Sequence, residues 1–171
     1  PLDITEGEIL VSVKSDVEPE RFYISEKARG RFEEALPQNK LGKETQVQVA
    51  QTIRFKSRDG QEVEGRLYTP GHQQAPFKMV IVLNNKAFGE GEKWGFNGDD
   101  QYLVQNGYAV LKLNIRGSGG RGEGFEKLAF GNFGTTTQYD IIDGARWAIE
   151  QGYTQAGSIG LWGANFGAYS A

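Results

Sequence analysis

The sequence contains no cysteine and only one histidine, His72, among its 171 residues. The absence of cysteine excludes disulfides and thiolate metal sites. Basic residues are too few and too scattered to suggest nucleic acid as a partner, since the formal net charge is -3. No apolar run approaches the roughly 20 residues of a membrane-spanning helix, and the first residues lack a signal-peptide pattern. We therefore expect no membrane partner and favour a cytoplasmic location.

Short β-strands separated by turns are predicted for the first 36 residues. Glu8–Val13 and Arg21–Ser25 have strand patterns, and turn-rich segments follow at 15–19 and 28–31. Two or three such strands are marginally stable alone, so they need a neighbour to cover their apolar face. We assign residues 1–36 to a β-region of their own and residues 37–171 to a second region.

A β-hairpin is predicted at the start of the second region. Residues 47–57 and 62–68 alternate apolar and polar side chains on either side of Asp59-Gly60. The Asp-Gly pair supplies the positive φ values that tight hairpin turns need.

Three later segments have the continuous apolar pattern of strands that are buried on both faces, at 78–83, 108–115 and 158–162. Helices are predicted between them, at 100–105 and 135–151. Buried strands that alternate with helices indicate a mostly parallel sheet. The predicted fold class is therefore α/β, with a mostly parallel sheet that begins with an antiparallel hairpin and follows short β-strands.

An ordered set of motifs within residues 45–171 resembles one known family. The motifs are Gly-Arg-Leu-Tyr-Thr-Pro at 65–70, Asn-Ile-Arg-Gly-Ser-Gly-Gly at 114–120, Tyr-Asp-Ile-Ile-Asp-Gly at 139–144, and Gly-x-x-x-Gly at 163–167. Together they resemble the N-terminal half of the α/β-hydrolase domain of prolyl-oligopeptidase-family serine peptidases, especially the dipeptidyl- and acylaminoacyl-peptidase branches.

The resemblance has several implications. Residues 1–36 would be the closing strands of the family's β-propeller, and the chain would be a fragment of a peptidase that acts on short peptides or acyl-amino acids. The Asp and His of the catalytic triad would follow the nucleophile and lie beyond Ala171. A half-built sheet would expose an edge strand, so we expect homo-oligomers that pair through this edge.

Asn165 occupies the position of the family's nucleophilic serine, between Gly163 and Gly167. A carboxamide cannot replace the activated hydroxyl, so we predict that this chain is inactive. Asn tolerates positive φ and would preserve the tight turn between strand and helix, the nucleophile elbow. The other interpretation is deamidation of Asn165 to a carboxylate nucleophile, which the bulky Phe166 disfavours.

The oxyanion hole, the pair of donors that stabilises the developing negative charge, also departs from the family pattern. Asn84-Asn85-Lys86-Ala87 replaces the usual His-Gly-Gly-Pro. The Asn84 side chain and the Phe166 backbone N–H are the candidate donors. Alternatively, Asn84 and Asn85 form a polar turn after the strand. His72 precedes the first parallel strand, so we expect it at the opposite edge of the sheet.

We predict neither a cofactor nor a metal site. Residues 117–122 fit Gly-x-Gly-x-x-Gly, but no acidic residue follows at the spacing that dinucleotide binding requires. Glu90, Glu92, Asp99 and Asp100 are interpreted as a solvated acidic face. Six aromatic residues flank the glycine-rich loops and either line a substrate pocket or pack beneath the loops: Phe88, Trp94, Phe96, Phe125, Phe130 and Phe133.

Two functional hypotheses remain open. The first is an inactive fragment or variant of a serine peptidase. The second is a natural pseudoenzyme, in which a hydrolase fold serves as a binding module.

Overall fold

The computed structural model describes residues 3–4, 7–26, 30–36, 46–92 and 94–171. The chain divides into two compact units, residues 1–47 with 94–98 and residues 48–93 with 99–171. The predicted boundary between residues 36 and 37 adjoins residues 37–45, which lie outside the described residues.

The sheet of the first unit has four antiparallel strands in chain order. They are β1 (Asp3–Ile4), β2 (Glu8–Val13), β3 (Arg21–Glu26) and β4 (Phe32–Glu34). The two predicted strands are confirmed, with the second extended by one residue. The second predicted turn falls partly on residues 27–29, outside the described residues. Four antiparallel strands are also what a propeller blade contains, and the assignment to a propeller stays a prediction.

The predicted hairpin opens the second sheet as β5 (Gln51–Lys56) and β6 (Glu62–Tyr68). Gly60 has φ 85°, as the Asp-Gly pattern requires. The first strand begins four residues later than predicted. The side chain of Gln101 accounts for this, because it bonds both the N–H and the C=O of Gln48 at 2.9 and 2.8 Å.

The rest of the second unit alternates strands and helices. In chain order they are β7 (Phe77–Val82), α1 (Gly98–Gln105), β8 (Tyr108–Asn114), α2 (Glu123–Lys127), α3 (Thr136–Glu150), β9 (Thr154–Trp162) and α4 (Phe166–Ser170). The strand order is β5-β6-β8-β7-β9, with β7 parallel to both β8 and β9. The predicted α/β class is confirmed.

Strand β9 corrects one prediction. The apolar run at 158–162 suggested a strand buried on both faces, but β9 lies at the edge of the sheet and pairs only with β7. Leu161 and Trp162 are 41% and 47% exposed. An exposed edge is thus present in this structure, and pairing with a second copy remains a prediction.

The core lies between the sheet and helix α3. Strand β8 is central and buried through five consecutive residues, 109–113. Ile141 and Ala148 of α3 pack in the same cluster as Leu111 and Leu113. Within the described residues no helix is long and apolar enough to cross a bilayer.

Candidate active site

The segment after β9 forms the tight turn that the glycine spacing predicted. Asn165 has φ 53° and ψ −114°, and it is the only non-glycine residue with positive φ in the described part of the chain. Helix α4 starts at the next residue, and Gly167 N–H donates to the Ala164 carbonyl at 2.9 Å. The Asn165 side chain is exposed and makes no capping hydrogen bond. The turn therefore presents a carboxamide to solvent.

Both flanking glycines make close backbone contacts, which are tighter at Gly163. A Cβ at Gly163 would lie 2.6 Å from the carbonyl carbon of Gly167. A Cβ at Gly167 would lie 3.0 Å from the carbonyl oxygens of Leu83 and Asn84. The two glycines thus let the turn fold tightly against the end of β7.

Both candidate oxyanion donors already have partners inside the protein. Phe166 N–H donates to the Asn85 carbonyl oxygen at 3.2 Å. The Asn84 side-chain nitrogen donates to Ser118 Oγ at 3.0 Å and to the Glu90 carbonyl at 3.4 Å. In this conformation the segment after β7 directs the Asn85 carbonyl oxygen at the elbow. An oxyanion at that place would be repelled by it rather than stabilised.

Known proteins resemble this chain in sequence and in fold. Residues 94–171 match the model of the prolyl oligopeptidase family. Its members are serine peptidases.

Individual relatives extend the similarity beyond the matched region. Dipeptidyl aminopeptidase BIII of Pseudoxanthomonas mexicana is 29% identical over 126 residues, which are 69% of this chain and 18% of that protein. The fold resembles an acylaminoacyl peptidase of Pyrococcus horikoshii (TM-score 0.76, 21% identity, 98% of this chain and 27% of that one). It also resembles a puromycin-hydrolyzing peptidase of Mycobacterium tuberculosis (TM-score 0.82, 16% identity, 96% and 26%). The chain spans less than a third of each of these proteins.

The turn around Asn165 is bordered by aromatic rings. Phe88 packs edge-on against Phe130 and Phe133, with ring centroids 4.8 and 4.5 Å apart. Phe133 in turn lies 6.1 Å from Phe166, which lies 6.1 Å from Tyr169. Phe130 and Tyr169 are more than half exposed. Three of the six predicted aromatic residues therefore meet beside the elbow, in a cluster that also includes Phe166 and Tyr169.

His72 is exposed and lies in the loop before β7. Because β7 and β9 are parallel, that loop is at the amino edge of the sheet and Asn165 is at the carboxyl edge. The prediction that His72 lies on the wrong side for catalysis is confirmed. It is also the only histidine in the sequence.

A network of buried charges holds the loop after β8. Arg116 donates through its backbone N–H and its guanidinium to Asp140, whose side chain is fully buried. It also pairs with Asp59 of the hairpin turn. Burial alone would lower the Arg116 pKa, but the two carboxylates raise it. The guanidinium therefore stays charged.

A third carboxylate, Asp143, completes this network, which we call the charge bracket. Arg58, Ser57 Oγ and the Arg58 backbone N–H all donate to Asp143, at 2.8–2.9 Å for the shortest contacts. Hydrogen bonds from the Arg58 side chain lower the Asp143 pKa to about 2, against the opposing effect of burial. The bracket comprises Ser57, Arg58, Asp59, Arg116, Asp140 and Asp143. Sequence reasoning missed it, although Arg116, Asp140 and Asp143 lie within motifs that carried the resemblance.

The predicted acidic face is wrong for two of its four residues. Asp100 is 2% exposed, and the Lys112 ammonium lies 2.9 Å from Asp100 and 2.8 Å from Glu92. Burial raises the Glu92 pKa, while the two carboxylates raise the pKa of Lys112 against its own burial. These carboxylates are partners of a buried lysine and do not form a solvated face. Among the residues that the structure describes, no group of acidic or histidine side chains is arranged to hold a metal.

Proposed function

We propose that this chain provides the first half of a peptidase-type hydrolase domain, whose full-length form acts on short peptides or acyl-amino acids. We also propose that, with asparagine at position 165, the chain does not hydrolyse peptide bonds. The observation that carries the proposal is the elbow itself. Its backbone has the conformation that exposes a nucleophile, and the exposed group is a carboxamide. An amide nitrogen has a delocalised lone pair, so it does not attack a carbonyl as an activated hydroxyl does.

The state of the oxyanion donors supports the same proposal. The Asn85 carbonyl oxygen already accepts the Phe166 N–H, and Ser118 and the Glu90 carbonyl take the Asn84 side-chain N–H groups. Removing one oxyanion donor typically costs about 10²–10³ in rate. A catalytic role for either donor would require its own hydrogen bonds to be released.

The second candidate is a non-catalytic binding module, and the aromatic cluster favours it. Exposed rings beside a strained polar turn offer an apolar surface with one amide that both donates and accepts hydrogen bonds. An acyl-amino acid or a short peptide has matching apolar and amide groups. The two candidates are compatible, because loss of the nucleophile leaves this surface unchanged.

A fluorophosphonate probe tests the loss of covalent chemistry. We expect no adduct on the elbow segment of the 171-residue chain, and no turnover of chromogenic dipeptide or acyl-amino-acid substrates above the buffer rate. Asn165→Ser is the matched control. It should also stay unlabelled, since His72 lies at the other edge and the two oxyanion donors are engaged. A stoichiometric adduct on the unsubstituted chain, mapped to residues 163–167, would overturn the proposal. An adduct on the serine variant alone would overturn the argument from the oxyanion donors but retain the argument from Asn165.

Binding without turnover tests the second candidate. Titration of an N-acyl dipeptide amide, followed by NMR, should show saturable shifts around the aromatic cluster. Phe130→Ala should weaken this binding, whereas Leu128→Ala, which also removes an exposed apolar side chain from the same segment, should not. Equal effects of the two variants, or no saturable shift, would exclude a binding site at this surface.

A further inference from the structure

We propose that Asn165 is a site of spontaneous deamidation, prepared by the backbone geometry of the elbow. This inference depends on the conformation of the turn and is independent of whether the chain hydrolyses peptides. Sequence alone argues against it, because the bulky Phe166 follows Asn165. The structure supplies a reason why folding reverses that expectation.

The reaction closes a five-membered ring between the Asn165 side chain and the next peptide nitrogen. The Phe166 amide gives its proton to water or hydroxide, and its nitrogen bonds to Cγ of Asn165. The departing side-chain NH₂ takes up a proton from water as its bond to Cγ breaks, and it leaves as ammonia. Water then opens the cyclic imide and leaves aspartate or isoaspartate at position 165. In total one water is consumed and one ammonia is released, with no oxidation or reduction.

Ring closure requires the Phe166 nitrogen to lie nearly eclipsed with Cβ of Asn165. Viewed along the Cα–C bond of an L-residue, Cβ stands about 120° from the backbone nitrogen, so eclipsing occurs at ψ near −120°. The observed ψ is −114°, which leaves the two atoms within about 10° of eclipsed. The allowed regions for L-residues do not include this ψ value. A flexible chain therefore visits the reactive geometry rarely, whereas the folded elbow holds it.

Two further features of the elbow bear on the rate. The Asn165 carboxamide is exposed and has no capping hydrogen bond, so it is free to turn towards the backbone and its ammonia can leave. An opposing feature is the hydrogen bond from the Phe166 N–H to the Asn85 carbonyl oxygen, with nitrogen and oxygen 3.2 Å apart. This hydrogen bond must break before the ring can close. Holding a non-glycine residue in a sparsely populated backbone conformation costs a free energy that corresponds to a factor of about 5 to 150 in population. Because the folded elbow holds this conformation, the rate of ring closure should rise by the same factor. The need to release one hydrogen bond first lowers this gain in rate by about fivefold. We expect deamidation at residue 165 to be about tenfold faster in the folded chain than in the unfolded chain.

The experiment compares the two states at the same mildly alkaline pH and temperature, with guanidinium chloride added to unfold one sample. Trypsin releases residues 147–171, in which Asn165 is the only asparagine, and residues 94–112, which contain the pairs Asn97-Gly98 and Asn106-Gly107. Mass spectrometry follows the replacement of a side-chain NH₂ by OH in each peptide. Deamidation of the two Asn-Gly pairs serves as the reference reaction in the unfolded sample, because glycine has no side chain to hinder ring closure.

The expected result is a faster reaction at residue 165 in the folded sample, combined with reaction of the Asn-Gly peptide in the unfolded one. Asn165→Gln keeps a side-chain amide but lengthens it by one carbon, so its 147–171 peptide should not change mass in either state. A rate at residue 165 that is equal or lower in the folded sample would overturn the proposal. So would an unchanged mass of the folded sample's 147–171 peptide after a time in which the same peptide has measurably reacted in the unfolded sample.

Discussion

Two neighbouring loops at the carboxyl edge of the sheet are held in place by different forces. The loop after β8 is fixed by charges: Arg116 is 5% exposed and bonds to the fully buried Asp140. The elbow after β9 contains no charged group between Gly163 and Ala171. Its shape depends on close backbone contacts, which exclude a side chain at Gly163 and leave little room for one at Gly167.

The difference separates the loops by how they should respond to change. A loop that is fixed by buried ions depends on each partner being present and ionised. A loop that is fixed by close packing tolerates a change of the exposed side chain at its tip, but not an added atom at its base. The conformation of the elbow should therefore be insensitive to which side chain occupies position 165, provided that this side chain tolerates positive φ.

The largest effect is expected from Asp140→Ala, which leaves the buried Arg116 without its main partner. Loss of one member of a buried pair typically costs about 3–5 kcal/mol, measured as the free energy of unfolding in guanidinium chloride. The control is Arg54→Ala, which removes a pair that is 63% exposed on the arginine side and should cost less than about 1 kcal/mol.

A double variant makes the Asp140 prediction independent of how stable the single variant is. Arg116→Met with Asp140→Leu removes both buried charges together, and apolar replacement of a buried pair is often neutral. We expect the double variant to be more stable than Asp140→Ala alone. The opposite order would mean that an unpaired charge does not explain the cost.

The next effect is steric and concerns the elbow. Gly163→Ala places a methyl group 2.6 Å from the Gly167 backbone, and such overpacking should destabilise the fold by about 3 kcal/mol. Gly124→Ala is the matched control. It lies within helix α2 with nothing within 4 Å of its added Cβ, so it should be neutral or stabilise by up to about 1 kcal/mol. If the two alanine variants are equally stable, close packing does not hold the elbow.

The features that the sequence predicted correctly depend on local chemistry. Asp59-Gly60 defines a hairpin turn, the apolar runs define β7 and β8, and the glycines at 163 and 167 define the elbow. Each of these is decided by residues within a short stretch of chain. The positive φ of Asn165 was likewise predictable from the residue itself, since asparagine is among the residues that tolerate positive φ.

The features that were missed depend on distant parts of the chain. The exposure of β9 depends on the strand order, which puts β7 rather than β9 next to β8. The partner of Asp100 is Lys112, in the middle of a strand that otherwise is apolar. In the charge bracket Arg58 lies 85 residues before Asp143. No local pattern indicates that such groups will meet, so these pairs could not be predicted from the sequence.

The smallest effect is the change in the free energy of unfolding with pH that arises from the charge bracket and not from the elbow. Hydrogen bonds from Arg58 lower the Asp143 pKa from 3.8 to about 2. A carboxyl group whose pKa is lower in the folded state stabilises the fold above its ordinary pKa, and this contribution is lost as the pH falls towards the folded value. Between about pH 4 and pH 2 the unsubstituted chain should therefore lose about 1–2 kcal/mol through Asp143. Over the same pH interval the stability of Asp143→Asn should fall by about 1–2 kcal/mol less than that of the unsubstituted chain. Denaturant unfolding at each pH measures this difference. Asn165→Gly changes the elbow without altering any titratable group, so it should keep the full acid dependence. If Asp143→Asn keeps the full dependence as well, the acid sensitivity arises elsewhere, and charge does not distinguish the two loops.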